Sequence, residues 1–170
     1  MKIRRPNCTI DFSRGVKVLT IQQPYAHYII HGDARTAPHH NYKDIENRSW
    51  KTSYRGRLYI HAGKRWYDGP ETDHPDFQRM TSDLGKIIGY VTLTGCVQKS
   101  CSSWFYGPWG FVLGDPVELE DPIPARGQQG FWNFVMDDPC GLERTAKALE
   151  RTAKANDMAA REGLSLGGAW

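Results

Sequence analysis

A chain of 170 residues, 39% hydrophobic and 24% charged, is long enough to bury the core of a single domain without disulfide or metal staples. Its net charge of +3 and pI near 8.7 permit a polyanionic partner without demanding one. No apolar run approaches membrane-spanning length, and Cys8, Cys96, Cys101 and Cys140 form no CxxC pair, which excludes an integral helical membrane protein and a ribbon-type zinc site.

Residues 1–15 show no period and read as an N-terminal extension. The segment MKIRRPNCTIDF is charged and lacks the apolar stretch of a secretory signal, so a cytoplasmic chain with reduced thiols is expected. Val16 to Ile21 (VKVLTI) is short and β-branched, hence a strand. In QQPYAHYIIHG, Pro24 suits the first turn of a helix and Gly32 its C-terminal end. Asp33 to Tyr42 (DARTAPHHNY) is a polar loop. Arg57 to Ala62 alternates, which predicts a half-buried strand with Leu58, Ile60 and Ala62 inward and a basic, aromatic second face of Arg57, Tyr59 and His61.

Arg65 to Asp83 reads as a long irregular excursion. Lys86 to Val97 and Trp109 to Leu113 are strands, Gly114-Asp115-Pro116 is a turn, and Val117 to Pro124, with its prolines, is an edge strand. Gly130 to Met136 is the last strand. LERTAKA then occurs twice in tandem, at Leu142 to Ala148 and Leu149 to Ala155, and predicts a helix with a narrow Leu/Ala seam packed on the domain. About six short strands with few helices, in no repeated βαβ order, give an α+β chain: a small mixed β-barrel over residues 16–136, flanking helices, and a C-terminal helical tail over residues 137–170.

Between Lys43 and Arg65 stand seven Lys/Arg residues and two acids, interleaved with Trp50, Tyr54 and Tyr59. Cations for phosphates beside flat rings for bases make a nucleic-acid surface the first expectation. Lys43, Glu46 and Arg48 form the sharpest cluster. In one reading Lys43 or Arg48 meets phosphate or polarises a carbonyl, with Glu46 as base or as acceptor for a base edge. In the other they are an ion pair that braces the barrel mouth. An extended backbone puts Lys43 on the face opposite Glu46 and Arg48, so convergence requires a turn. Arg55, Arg57 and Lys64 are read as phosphate contacts, Gln23 and Tyr25 as helix-start residues facing the cleft, and Trp104 and Tyr106 as stacking rings that compete with a core-anchoring role. His61 is a general acid/base candidate or a satisfied structural histidine. His27 and His31 stand at the spacing of two metal ligands but lack an evident third, so they are read as surface or cap residues; no metal and no cofactor is expected.

Five segments, LTIQQPYA (Leu19 to Ala26), KDIENRSW (Lys43 to Trp50), YRGRLYIHAGK (Tyr54 to Lys64), SWFYGPWGFVL (Ser103 to Leu113) and DPIPARGQQGFW (Asp121 to Trp132), resemble the ASCH domain in type and in order. The resemblance implies a PUA-like barrel and nucleic-acid binding, RNA before DNA, or binding of a modified nucleoside. It also brings an alternative, because one bacterial branch hydrolyses N4-acylated cytidine and ribonuclease activity belongs to another; Lys43 and Glu46 would then be catalytic. The family motif G-x-K-x-x-E-x-R is matched by Lys43, Glu46 and Arg48. Its glycine is displaced by an inserted loop of about eight residues carrying His39 and His40. The amidase branch has a threonine where this chain has Glu46. A monomer without membrane attachment is expected, with self-association through the C-terminal helix as a weaker scaffold reading.

Overall fold

The computed structural model describes residues 12, 14–36 and 41–136; the LERTAKA repeats, His39, His40 and nearly all of the expected N-terminal extension lie outside them. Six strands form one sheet in the order β2-β5-β4-β3-β1-β6. They are β1 (Val16–Gln23), β2 (Ile45–Arg48), β3 (Gly56–Trp66), β4 (Lys86–Val97), β5 (Trp109–Pro124) and β6 (Phe131–Phe134). β1 runs parallel to β3, and the other pairings are antiparallel. Among the described residues there are also two short α-helices, α1 (Tyr25–Ile30) and α2 (Phe77–Ser82), and one 3-10 turn, Ala34–Thr36.

The sheet is open. β2 and β6 are its two ends, and no backbone ladder joins them among the described residues. The expected closed barrel is corrected in this respect, for a physical reason: both end strands are four residues long, and side chains fill the space between them. The Trp50 ring lies 4.9 Å from Phe131 of β6 and 4.9 Å from Phe111 of β5. Arg48 at the end of β2 donates to the Thr20 carbonyl of β1 at 3.0 Å.

α1 lies across the sheet and buries Ala26, Ile29 and Ile30 in a core shared with Leu19, Ile21, Leu58, Ile60, Ala62, Ile88 and Val91. The Gln23 side chain accepts from the His27 backbone N–H at 3.0 Å and so satisfies one of the helix's open donors. Gly32, at φ 77°, turns the chain out of the helix as expected. Gly89 lets the helix approach: a Cβ there would stand 2.5 Å from the Val117 carbonyl and 2.8 Å from Ile30.

Three local expectations change. β3 is not half-buried: Leu58 to Gly63 are all buried, with His61 only 2% exposed. As a central strand it is covered on both faces, the second by Tyr90 against Tyr59 and Trp132 against His61. Gly114-Asp115-Pro116 is not a hairpin turn. β5 runs through it as a bulge, with one extra residue between the pairs Tyr90↔Val117 and Thr92↔Gly114. Within the excursion 65–83, β3 continues to Trp66 and α2 appears, anchored by the fully buried Met80. The proline-bearing half of β5 pairs with β4 alone among the described residues, which is the edge position its prolines favour.

Candidate functional site

Lys43 lies in the irregular segment just before β2. Its backbone N–H is held by the Tyr28 carbonyl at 3.0 Å, and its ammonium folds back onto the Ile45 carbonyl. Folded back in this way, the Lys43 side chain reaches the alternate β2 residue Glu46, which Arg48 meets from its other side. Lys43 Nζ stands 3.1 Å from Glu46 Oε2, and Arg48 Nη2 stands 3.1 Å from Glu46 Oε1. The three side chains thus converge on one carboxylate, with a formal balance of +1. Lys43 is 4% exposed. Burying such a cluster is costly, and its attraction offsets that cost only where the remaining donors also find acceptors. Two do not: Arg48 Nε and Trp104 Nε1 are buried and have no hydrogen-bond partner among the described residues.

Aromatic rings surround the cluster. Lys43 Nζ lies 5.5 Å from the Tyr25 ring centroid and 5.7 Å from Trp104. Tyr25 stands 5.0 Å from Tyr67 and 6.4 Å from Trp104. Burial pushes the Tyr25 phenol up, and nearby Tyr67, Tyr106, Glu71 and Glu46 push it further. Tyr106 is 81% and Tyr67 64% exposed. The result is a buried charged floor, a half-buried aromatic wall and two tyrosines open to solvent.

Asn47, on the opposite face of β2 from Glu46, holds the loop that carries two of these rings. Its amide donates to the Trp104 carbonyl at 2.8 Å and its oxygen accepts from the Tyr106 backbone N–H at 2.9 Å. The described start of the segment after α1 is held by an ion network. Arg35 is paired with Asp33 at 3.0 Å and Glu71 at 3.2 Å, and it donates to the Tyr28 hydroxyl at 2.7 Å. His74 reaches Asp33 at 3.2 Å. Sequence reasoning missed Asn47, Tyr67, Tyr28 and this ion network, because each lies in a separate segment with no local signature.

Most of the other residues expected at the interface lie elsewhere, Lys64 excepted. Gln23 does not face the cleft: it is fully buried, spent on His27 and on the Met80 carbonyl. Trp50 and Tyr54 pack on the core beside Phe131. Arg55 braces its own turn through the Thr52 and Tyr54 carbonyls. Arg57 lies over the Tyr90 ring at 4.5 Å. It sits at the far end of β3, roughly 25 Å from Arg65 at 3.3 Å per residue. His61 meets the Ala125 carbonyl at 3.1 Å, and burial lowers its pKa. Lys64 is exposed near the end of β3 that leads to Tyr67. His27 is fully buried rather than at the surface, whereas His31 takes the C-cap position of α1 as the cap reading expected; burial pushes the two down to about 4 and about 3.

The ASCH domain family matches residues 19–125 of the chain, well over half of its length. Among solved structures, a mutant of the ASCH protein from Zymomonas mobilis is similar at 16% identity and a TM-score of 0.42, over 79% of this chain and 96% of that one. No curated protein matches the sequence.

Proposed function

The chain belongs to the ASCH domain family, and on that premise we propose that it binds RNA through a single unpaired nucleotide held in the pocket around Lys43, Glu46 and Arg48. The observation that carries this reading is the pair of unspent buried donors, Arg48 Nε and Trp104 Nε1, beside a cluster of net positive charge. Such donors call for an acceptor from outside, either a phosphate oxygen or a carbonyl on a base edge. The exposed Tyr67 and Tyr106 rings, next to Tyr25, supply the flat surface on which a base stacks. Lys64 and Arg65, exposed near that end of β3, extend the positive surface to the neighbouring phosphates.

The hydrolase alternative draws less support from this geometry. Both Glu46 oxygens are engaged by cations, which leaves neither poised as a base. Lys43 is held between two acceptors as a donor rather than a nucleophile. Fluorescence anisotropy with a short single-stranded RNA at low salt tests the proposal. Tyr106→Ala, at a highly exposed position, is expected to fold normally and to weaken binding about tenfold, the value of roughly one lost base stack. Absence of binding by the native protein at low salt, or unchanged affinity in both Tyr106→Ala and Arg48→Gln, would overturn it. Turnover of acylated cytidine that is lost in Lys43→Ala would restore the hydrolase reading.

A further inference from the structure

Away from the RNA pocket, α1 carries a second cluster. A ring nitrogen of His27, a ring nitrogen of His31 and a carboxylate oxygen of Asp83 lie within 4.8 Å of one another. The two histidines are one helical turn apart with ring centroids 4.6 Å apart, and Asp83 is the residue that ends α2. We propose that His27, His31 and Asp83 bind a divalent transition metal of the zinc class, which fastens α1 to the end of α2.

The state of the four ring nitrogens supports this. His27 Nε2 faces the Asp76 carboxylate at 3.3 Å, while its Nδ1 is buried without a hydrogen-bond partner among the described residues. His31 Nδ1 faces the Glu118 carboxylate at 3.7 Å, while its Nε2 is likewise buried and without a partner. Each ring therefore turns one nitrogen to a carboxylate and leaves the other unused. Metal-ligating histidines are oriented in this way, because the carboxylate fixes the tautomer and leaves the lone pair on the opposite nitrogen. Two histidines and one carboxylate make a donor set for zinc, with a fourth position left for water. His27 itself is fully buried, so its unused nitrogen finds no ready acceptor or donor in solvent.

The surrounding charges suit a dication. Asp76, Asp83 and Glu118 bring three carboxylates near the cluster, against Arg79, which is itself paired with Glu118, and Lys86. Ligand atoms within 4.8 Å need to close by up to about 1.4 Å to reach the spacing of a tetrahedral site with bonds near 2.1 Å. The metal also has a structural consequence. α1 holds His27 and His31 on the same short helix as Tyr25, so a metal bound there restrains the helix that carries the pocket's aromatic wall.

The test is titration of Zn2+ into chelator-treated full-length protein by calorimetry, together with Co2+ followed by its visible absorption. One metal per chain is expected, with the intense visible bands of a tetrahedral N/O site and a raised Tm. Asp83→Asn and His31→Gln, both close in size to the native residues, are expected to weaken binding at least tenfold. Asp76→Asn, acting through His27, is expected to weaken it about ten- to a hundredfold. Lack of stoichiometric binding to the native protein, or an unchanged affinity and cobalt spectrum in both Asp83→Asn and His31→Gln, would overturn the proposal. RNA binding in the chelator-treated protein is a separate measurement, so the two proposals stand or fall independently.

Discussion

At the residue scale, Glu46 holds the pocket floor together. It is the acceptor for both Lys43 and Arg48, so Glu46→Gln leaves two cations buried beside each other with half of their compensation removed. The expected loss of stability is on the order of 3 kcal/mol, the value for breaking one side of a buried pair. Urea denaturation checks it, and the midpoint is expected to fall with the slope unchanged. Asn47 acts differently. It touches only the backbone of the loop that bears Trp104 and Tyr106, so Asn47→Ala is expected to reduce RNA affinity severalfold through a looser loop while both rings remain present. The motif residues Lys43, Glu46 and Arg48 were legible in the sequence, because their spacing matches a known pattern. Their convergence was not, since it depends on the Lys43 backbone being held by the Tyr28 carbonyl of α1 while its side chain folds back onto β2. Asn47 stood in plain view between Glu46 and Arg48, but its partners are more than fifty residues away.

At the element scale, the packing of α1 on β4 and β5 rests on the absence of a side chain at Gly89. Gly89→Ala would press a methyl group against the Val117 backbone carbonyl, which cannot swing aside as a side-chain end can. The expected cost is about 1–3 kcal/mol, read as a lowered denaturation midpoint. β3 supplies a pH effect. Burial lowers the His61 pKa, the Ala125 carbonyl opposes this, and the nearby Lys64 charge lowers it further. The unfolded chain therefore binds a proton at this site at a pH where the folded chain does not. Stability is complete above the ordinary histidine value of about 6.5 and falls as the pH drops from there toward the lowered value. Thermal unfolding from pH 7.5 to 5 is expected to show this slope on top of those of the buried His27 and His31, and His61→Gln is expected to reduce the total slope without removing it. The alternation of Arg57 to Ala62 correctly located the strand and its core-facing side. It could not reveal that Trp132 and Tyr90 cover the other side, because strand periodicity reports spacing along one strand and not what lies over it.

At the scale of the molecule, a net charge of +3 gives no steering by itself, and the arrangement of charge matters more. The sequence cluster of cations divides between the two ends of β3. Arg57 lies at one end over Tyr90, while Lys64 and Arg65 lie toward the other, from which the chain runs on to Tyr67. Changing Lys64 and Arg65 to Gln is expected to flatten the salt dependence of RNA affinity by about 0.7 in log–log slope for each phosphate no longer neutralised, whereas Arg57→Gln is expected to leave it unchanged. Anisotropy titrations at several salt concentrations measure both. The sequence by itself determined the family and the Lys43, Glu46 and Arg48 motif through their resemblance to a known pattern, and the position of α1 and of every strand but β2 through local periodicity and residue type. The tertiary structure decided which aromatic residues serve the core and which lie around Lys43, that the sheet stays open with Trp50 between its ends, and that Asp83 lies beside His27 and His31. Those outcomes depend on contacts between residues distant in the chain, where burial is shared among several elements and no single segment encodes it.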